Sequence, residues 1–257
     1  MQFTLDPSID APGLKRAYAR RGAVSIKPFL PDEQAERLRA HLLERSDWHG
    51  RLRDLDGRLF DLPSEQMAEW GEAKLDGVRR LVAPRSGQKG FGYAHARIRI
   101  VDEEGILRDG QSMLGRFGQF MMSETVLELF RTVTGVPGIN FADSFAARYD
   151  PGDYTTMHDD GINERKSAYV FGLTRTWRSD WGGLLLFHGA NGDVERGLAP
   201  DFNVFNIFSV PRQHSVSVVA PFATEPRLTI TGWFHQLSAH ETETSGTSRQ
   251  TQEQRCD

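Results

Sequence analysis

The second half of this chain sets the strongest constraint on its fold. From Ile139 onward, short runs rich in β-branched and aromatic residues alternate with turn residues. Eight such runs can be drawn: Phe141–Tyr149, Tyr154–Asp160, Ser167–Thr174, Gly183–Phe187, Asp193–Arg196, Phe202–Val210, His214–Val219 and Arg227–Phe234. Many short strands at this spacing specify a barrel, a sandwich or a jelly roll.

The front of the chain reads differently. Pro12 to Arg21 predicts a short helix and Ala23–Ile26 a strand. Pro31-Asp32 opens a helix in which Ala35, Leu38 and Leu42 share a face. Trp48 to Gly92 is mixed, with a helix expected over Ser64–Leu75 and Arg79, Arg80, Arg85 and Lys89 in a glycine-containing loop. Ile98 and Ile100 alternating with Arg97 and Arg99 predict a half-buried strand over Phe91–Val101. Ser123 then caps a helix whose face carries Val126, Leu129, Phe130 and Val133, and Gly135 and Pro137 end it.

These helices are too few to need a core of their own. The expectation is therefore a single α+β, mainly β, domain over residues 1–236: a β core at about 139–236 buttressed by a helical layer from 1–138. Residues 237–257 are rich in Ser, Thr, Glu and Gln and predict a disordered polar tail.

Composition narrows the function classes. Hydrophobic residues at 39% and aromatic residues at 10% fill a packed core, while a net charge of −4 offers no field to attract nucleic acid or an anionic membrane. The basic residues between Arg79 and Lys89 are unpatterned, as on a solvated face. A single cysteine, Cys256, rules out an internal disulfide framework, and no basic-then-apolar leader or membrane-length apolar run is present. A cytoplasmic location is expected, with neither membrane nor nucleic acid as partner.

Candidate chemistry begins at His158 and Asp160. Two residues apart on a predicted strand, they point to one face while Asp159 turns away. Alone, such a pair is more often a solvated turn than a ligand pair. His214 opens another predicted strand and shares a face with Val216 and Val218, which sets its imidazole on the buried side. A core histidine bonded to a carbonyl would explain it more plainly. Two histidines and a carboxylate on neighbouring strands, however, make the facial set that holds non-haem Fe(II) and leaves positions open for substrate and oxygen.

Arg227 adds to this. Alternation puts Arg227, Thr229, Thr231 and Trp233 on one face of their strand and Leu228, Ile230 and Phe234 on the other. An inward arginine needs an anion, either a protein acid or a ligand carboxylate that its planar fork can grip, with the Thr229 hydroxyl one pleat along.

Together with Tyr149-Asp150-Pro151-Gly152-Asp153, Arg165, Leu173 with Trp177, Trp181-Gly182-Gly183, Phe202-Asn203 and Gly232-Trp233-Phe234-His235, these residues resemble Fe(II)- and 2-oxoglutarate-dependent dioxygenases of the prolyl 4-hydroxylase-like branch. In motif detail they are most similar to the prolyl hydroxylases of a ribosomal protein. The resemblance runs from about Phe141 to Gln236 and implies a double-stranded β-helix, or jelly roll. It implies iron held by His158, Asp160 and His214, and 2-oxoglutarate held by Arg227 with Thr229 and Tyr149. It also implies dioxygen as co-reactant, ascorbate as a stimulant, and release of succinate and carbon dioxide.

The implied substrate is a prolyl residue of a protein or peptide, with a ribosomal protein among the candidates. Tyr154, Trp177 and Trp181 are candidate substrate contacts, although aromatic residues in a β core more often only pack. Tyr154 and Thr156 are expected to share the face of His158. His188 and Asn206 are further candidates near the site. Segment 48–101 is expected to form part of the entrance.

One departure stands out. Where many relatives have Tyr-Leu-Asn, this chain has Gly172-Leu173-Thr174, so Tyr149, Tyr169 or Thr229 must supply the missing hydroxyl beside the arginine. Two alternatives stay open: the same chemistry on a small molecule such as a free amino acid, and a jelly-roll protein that binds iron and 2-oxoglutarate without turnover.

Overall fold

Alternation of side chains along antiparallel strands builds this molecule. The computed structural model describes residues 2–108, 110–162 and 164–237; the predicted tail from residue 238 onward, with Cys256, lies outside them. In chain order the elements are α1 (Ala11–Arg21), β1 (Ala23–Ile26), α2 (Asp32–Glu44), β2 (His49–Arg53), β3 (Leu59–Leu62), α3 (Ser64–Val82), β4 (Tyr93–Val101), α4 (Met113–Met121) and α5 (Glu124–Thr134). There follow β5 (Phe141–Ala142), β6 (Ser144–Tyr149), β7 (Tyr154–His158), β8 (Arg165–Gly172), β9 (Leu185–His188), β10 (Val194–Leu198), β11 (Val204–Ser209), β12 (His214–Val216) and β13 (Arg227–His235).

The strands form one curled sheet in the order β1-β11-β8-β13-β6-β4-β7-β12-β9-β10, with β2 and β3 continuing from β4 and β5 on β13. Every pairing between these strands is antiparallel. A mainly β sheet curled on itself, with helices on one side, is the jelly-roll architecture expected from the strand rhythm.

Register decides what each face carries. Thr229 of β13 stands opposite Ala147 of β6, and Ala147 opposite Arg97 of β4. One pleat further, Thr231, Phe145 and Arg99 align. The intervening residues Ile98, Ala146 and Ile230 face the other way, into the main core. There they meet Phe117 of α4, Phe130 of α5 and the aromatic residues Phe29, Phe171, Phe205 and Phe234. Phe29 and Phe205 have ring centroids 4.2 Å apart, and Phe130 and Phe234 4.4 Å. The helices thus cover one face of the sheet, and the curled face is left for a cavity.

The front of the chain departs from expectation in three places. Helix α4 escaped notice because Gly115 and Gly118 lower its intrinsic propensity. Both glycines are buried, and a Cβ on Gly118 would lie 2.7 Å from Cγ2 of Ile100, so the helix approaches β4 only with glycine there. The β2–β3 hairpin is built from strands of five and four residues, too short for an alternation to reveal it. Helix α3 runs to Val82 rather than Leu75, past a break at Gly71 (φ 66°, ψ 170°). Arg79 and Arg80 therefore belong to a helix and not to a loop, and Arg79 pairs with buried Asp153 at 3.0 Å and with Asp76 at 2.9 Å. No helix among the described residues is long and apolar enough to cross a membrane.

Candidate metal centre and cosubstrate pocket

Strands β7 and β12 are paired so that His158 and His214 stand directly opposite each other, with ring centroids 4.1 Å apart. Strand β7 ends at His158. The chain then turns, and Asp160 takes a left-handed φ of 58°. Its carboxylate is thus delivered by a turn rather than by the strand alternation anticipated from the sequence. Oδ1 lies 3.5 Å from His158 Nε2, and Oδ2 lies 3.3 Å from His214 Nε2. The three donor atoms all fall within 4.8 Å of one another.

Local hydrogen bonds aim these donors. His158 Nδ1 donates to the Thr156 carbonyl at 2.9 Å and His214 Nδ1 to the Arg212 carbonyl at 2.7 Å, which leaves each Nε2 lone pair free for a metal. Burial, with His214 adding to it, pushes His158 down to about 4, so it is neutral near pH 7. Burial would raise Asp160, but the neighbouring imidazoles of His214 and His158 and the hydrogen bond from Trp233 outweigh it and hold the carboxyl below its usual range. Trp233 Nε1 donates to Asp160 Oδ2 at 2.9 Å, and the Arg165 guanidinium covers the Trp233 ring at 3.7 Å. Two imidazoles with their Nε2 atoms turned inward and one carboxylate on one side of an open cavity can hold a divalent iron.

Arg227 lies in the same cavity and is 2% exposed. Its Nε donates to the Gly183 carbonyl at 2.7 Å and its Nη1 to Thr229 Oγ1 at 3.2 Å. Its guanidinium sits 4.8 Å from the centroid of the Tyr149 ring, whose hydroxyl bonds Thr155 at 2.9 Å. Among the described residues no acid pairs with Arg227, so the protein-acid explanation is ruled out there. Burial lowers its pKa against the opposing effect of Tyr149. A buried guanidinium without a protein anion is a costly arrangement that a ligand carboxylate relieves.

Tyr169 is not the substitute for the missing tyrosine. Its hydroxyl donates to the Asp143 carbonyl within the helix-side core. Tyr149 and Thr229 are the hydroxyl-bearing residues beside Arg227. The glycine at 172 has a steric reason, since a Cβ there would lie 2.2 Å from the Asp201 carbonyl oxygen.

Several expected positions fall elsewhere. A bulge opposes His214–Val216 to His158–Thr155, two steps against three. Thr155 therefore faces the cavity, and Tyr154 turns away to donate its hydroxyl to the Val82 carbonyl at 3.0 Å. Tyr154 and Thr156 do not share the inward face of His158, because the bulge breaks the alternation on which that expectation rested. Trp177 and Trp181 pack edge to face with centroids 5.3 Å apart, beside Tyr149 and Ala147, and Trp177 Nε1 donates to the Gly182 carbonyl. They stand behind the arginine pocket and not along the cavity. His188 bonds Ser215 Oγ, and Asn206 accepts from Ser25.

The residues that sequence reading missed come from β2, from β4 and from Phe91 just before β4. Phe91 packs on His158 at 4.5 Å, His95 stacks on Tyr149 at 5.0 Å, and Tyr93, Arg97 and Arg51 line the cavity. The alternation of β4 was legible, and it carried a second message: its polar face looks into the site.

Residues 144–235 match the family model described as the 2OG-Fe(II) oxygenase superfamily. Over this stretch the chain is similar to 2OG-Fe(II) oxygenase domains. The matched stretch contains every candidate iron donor and Arg227, and the family uses Fe(II) and 2-oxoglutarate. Prolyl 3-hydroxylase sudestada1 of Drosophila melanogaster is 33% identical over 110 residues, 38% of this chain and 20% of that protein. Prolyl 3-hydroxylase OGFOD1 of Xenopus laevis is 32% identical over 129 residues, 48% of this chain and 23% of that protein. The chain thus spans under a quarter of the length of these relatives. Among solved structures, the oxygenase fold is similar to a Pseudomonas putida prolyl-4-hydroxylase, with a TM-score of 0.56 and 15% identity over 89% of this chain and all of that one. It is likewise similar to a Trichoplax adhaerens prolyl hydroxylase in complex with a hypoxia inducible factor oxygen degradation domain peptide fragment, with a TM-score of 0.56 and 17% identity over 91% of this chain and 92% of that one.

Proposed function

We propose that the protein hydroxylates a prolyl residue of a protein or peptide in the cytoplasm, using Fe(II), 2-oxoglutarate and dioxygen. The observation that carries this reading is the shared cavity: a buried arginine without a protein anion opens onto the same space as two histidines and a carboxylate. That the curated relatives matched are prolyl 3-hydroxylases supports the substrate class.

When bound, iron would activate dioxygen, the oxidant, while 2-oxoglutarate would supply two electrons and leave as succinate and carbon dioxide, with one oxygen atom of dioxygen entering succinate and the other the substrate C–H bond. The chain supplies placement. His158 and His214, each oriented through its Nδ1, present their Nε2 atoms, and Asp160, steadied by Trp233, supplies the anionic donor. Arg227 and Thr229 grip the far carboxylate of 2-oxoglutarate, and the Tyr149 ring closes one side of that grip. No side-chain general base is required, because the bond broken is an unactivated C–H. Phe91 and His95 narrow the space around the donors and keep water out.

Residues 1–236 act as one oxygenase unit in this reading, because the helical layer and β core share one apolar cluster from Phe3 to Phe234. Ribosomal proteins remain among the candidates to screen. The test is succinate formation from 2-oxoglutarate, with and without prolyl peptides and with ascorbate present. Peptide-dependent succinate, lost in His158→Ala and Arg227→Ala, is expected; peptide-independent or variant-insensitive succinate would overturn it.

A further inference from the structure

The cavity carries more positive charge than the cosubstrate requires. Besides Arg227, it is lined by Arg51, Arg97 and Arg165, against Asp160 and Glu103. Most of these charges are answered within the protein. Arg51 pairs with Asp61, Arg99 takes Glu103, and Arg165 lies 3.7 Å from Asp160.

Arg97 is the exception. Among the described residues its side chain makes no ion pair and no hydrogen bond, and its guanidinium lies only at 5.9 Å from the Phe145 ring. It is half-buried on β4, opposite Ala147, whose small side chain leaves room in front of it. Nearby on the same wall, His95 Nδ1 and Arg51 Nε are buried without any hydrogen-bond partner. Arg97 also borders a surface groove lined by Arg45, Arg99 and Arg108 together with Asp47 and Asp61, so it stands where the cavity opens outward. Burial, with Arg51 and Arg99 adding repulsion that Tyr93 and Asp61 offset only in part, pushes its guanidinium down to about 10. A guanidinium kept in this setting is strongly stabilised by a ligand that brings a carboxylate to its fork.

We propose that Arg97 is a specificity-determining residue that pairs with a substrate carboxylate, so that the prolyl segment entering the cavity is acidic. This inference rests on the hydroxylase reading above. Arg97 is four residues along β4 from Tyr93, which pairs with Thr155 of the histidine-bearing strand. Four strand residues span about 13 Å, and an extended peptide covers that distance in about four residues. The acidic side chain therefore lies within about four residues of the target proline. A free amino acid would bring the same carboxylate, and the experiment separates the two sources.

The test uses the full chain with one prolyl peptide, in which Asp or Lys is placed in turn at each position up to four residues from the proline, and free proline as a further substrate. KM is measured from succinate formation, and peptide affinity separately from tryptophan fluorescence, with wild type, Arg97→Gln and Arg97→Glu. The visible band formed anaerobically with Fe(II) and 2-oxoglutarate verifies that each variant is folded. At one or two positions the Asp peptide is expected to have a KM about tenfold below its Lys counterpart. Arg97→Gln abolishes that difference and Arg97→Glu reverses it. Hydroxylation that is equally efficient for Asp and Lys peptides in all three proteins overturns the inference and leaves the hydroxylase reading standing. Turnover of free proline alone, with KM raised in Arg97→Gln, supports the carboxylate contact and overturns the peptide form of the substrate. An intact visible band with turnover of neither peptide nor proline overturns both.

Discussion

The indole of Trp233, on the last core strand, donates to Oδ2 of Asp160 at 2.9 Å and so ties the one carboxylate of the candidate metal centre to the opposite wall of the cavity. Asp160 sits on a turn with a left-handed backbone, where its side chain would otherwise be poorly fixed. Trp233→Phe keeps the ring under Arg165 and removes only this donor. The variant is expected to bind Fe(II) about ten- to a hundredfold more weakly, as loss of a hydrogen bond to a metal ligand does. An anaerobic Fe(II) titration checks it; unchanged affinity would mean that the turn alone orients Asp160.

Arg227 makes two protein hydrogen bonds and faces the cavity without an anionic partner. Arg227→Lys keeps the charge but loses the planar fork. The expected result is a KM for 2-oxoglutarate raised by about a hundredfold, in line with losing a bidentate carboxylate contact of about 2–3 kcal/mol. Succinate assays over a range of 2-oxoglutarate concentrations measure it.

Gly172 marks where this chain differs from relatives with a tyrosine. A Cβ there would meet the Asp201 carbonyl oxygen at 2.2 Å, and that atom is backbone and cannot swing aside. Gly172→Tyr is therefore expected to destabilise the fold by about 2–3 kcal/mol rather than restore a missing contact. Thermal unfolding of the variant, beside its KM for 2-oxoglutarate, decides between these outcomes.

His95 gives the metal-free protein an acid sensitivity. Burial, followed by the charges of Arg97, Arg227 and Arg51, pushes its pKa down from 6.5 to about 3. A depressed folded-state pKa means that the unfolded chain binds the proton first, so stability is full above pH 6.5 and falls as pH drops toward 3. The slope is at most about 1.4 kcal/mol per pH unit. Asp153 works the other way: burial raises it to about 7 despite Arg79, so its contribution is lost as pH rises toward 7. His95→Phe isolates the first effect. Its melting temperature is expected to fall less between pH 7 and pH 5 than that of the wild type.

How much of this was legible follows from where the signals lie. The strand rhythm after Ile139 and the inward parity of Arg227 and Thr229 are local patterns, and β13 carries them in nine unbroken residues. His158 and His214 were legible as separate inward histidines, but their direct opposition is a matter of register, which no single strand records. The bulge in β7 is one inserted residue without a sequence mark, and it sent the reading of Tyr154 to the wrong face. Helix α4 was hidden because its glycines answer to packing against β4 rather than to helix propensity. Segment 48–101, with β4 in it, was expected at the entrance, but none of its residues was singled out for the site. That the polar face of β4 meets Tyr149 and the cavity depends on β4 pairing with both β6 and β7, a long-range fact.

The most direct measurement of the proposed activity is mass spectrometry of prolyl peptides and cellular proteins incubated with the protein, Fe(II), 2-oxoglutarate and ascorbate. The account predicts one added oxygen atom on a proline, matched by one succinate per oxygen and lost in His158→Ala and Arg227→Ala. Succinate formed without any oxidised proline, or oxidised proline that persists in both variants, would contradict it.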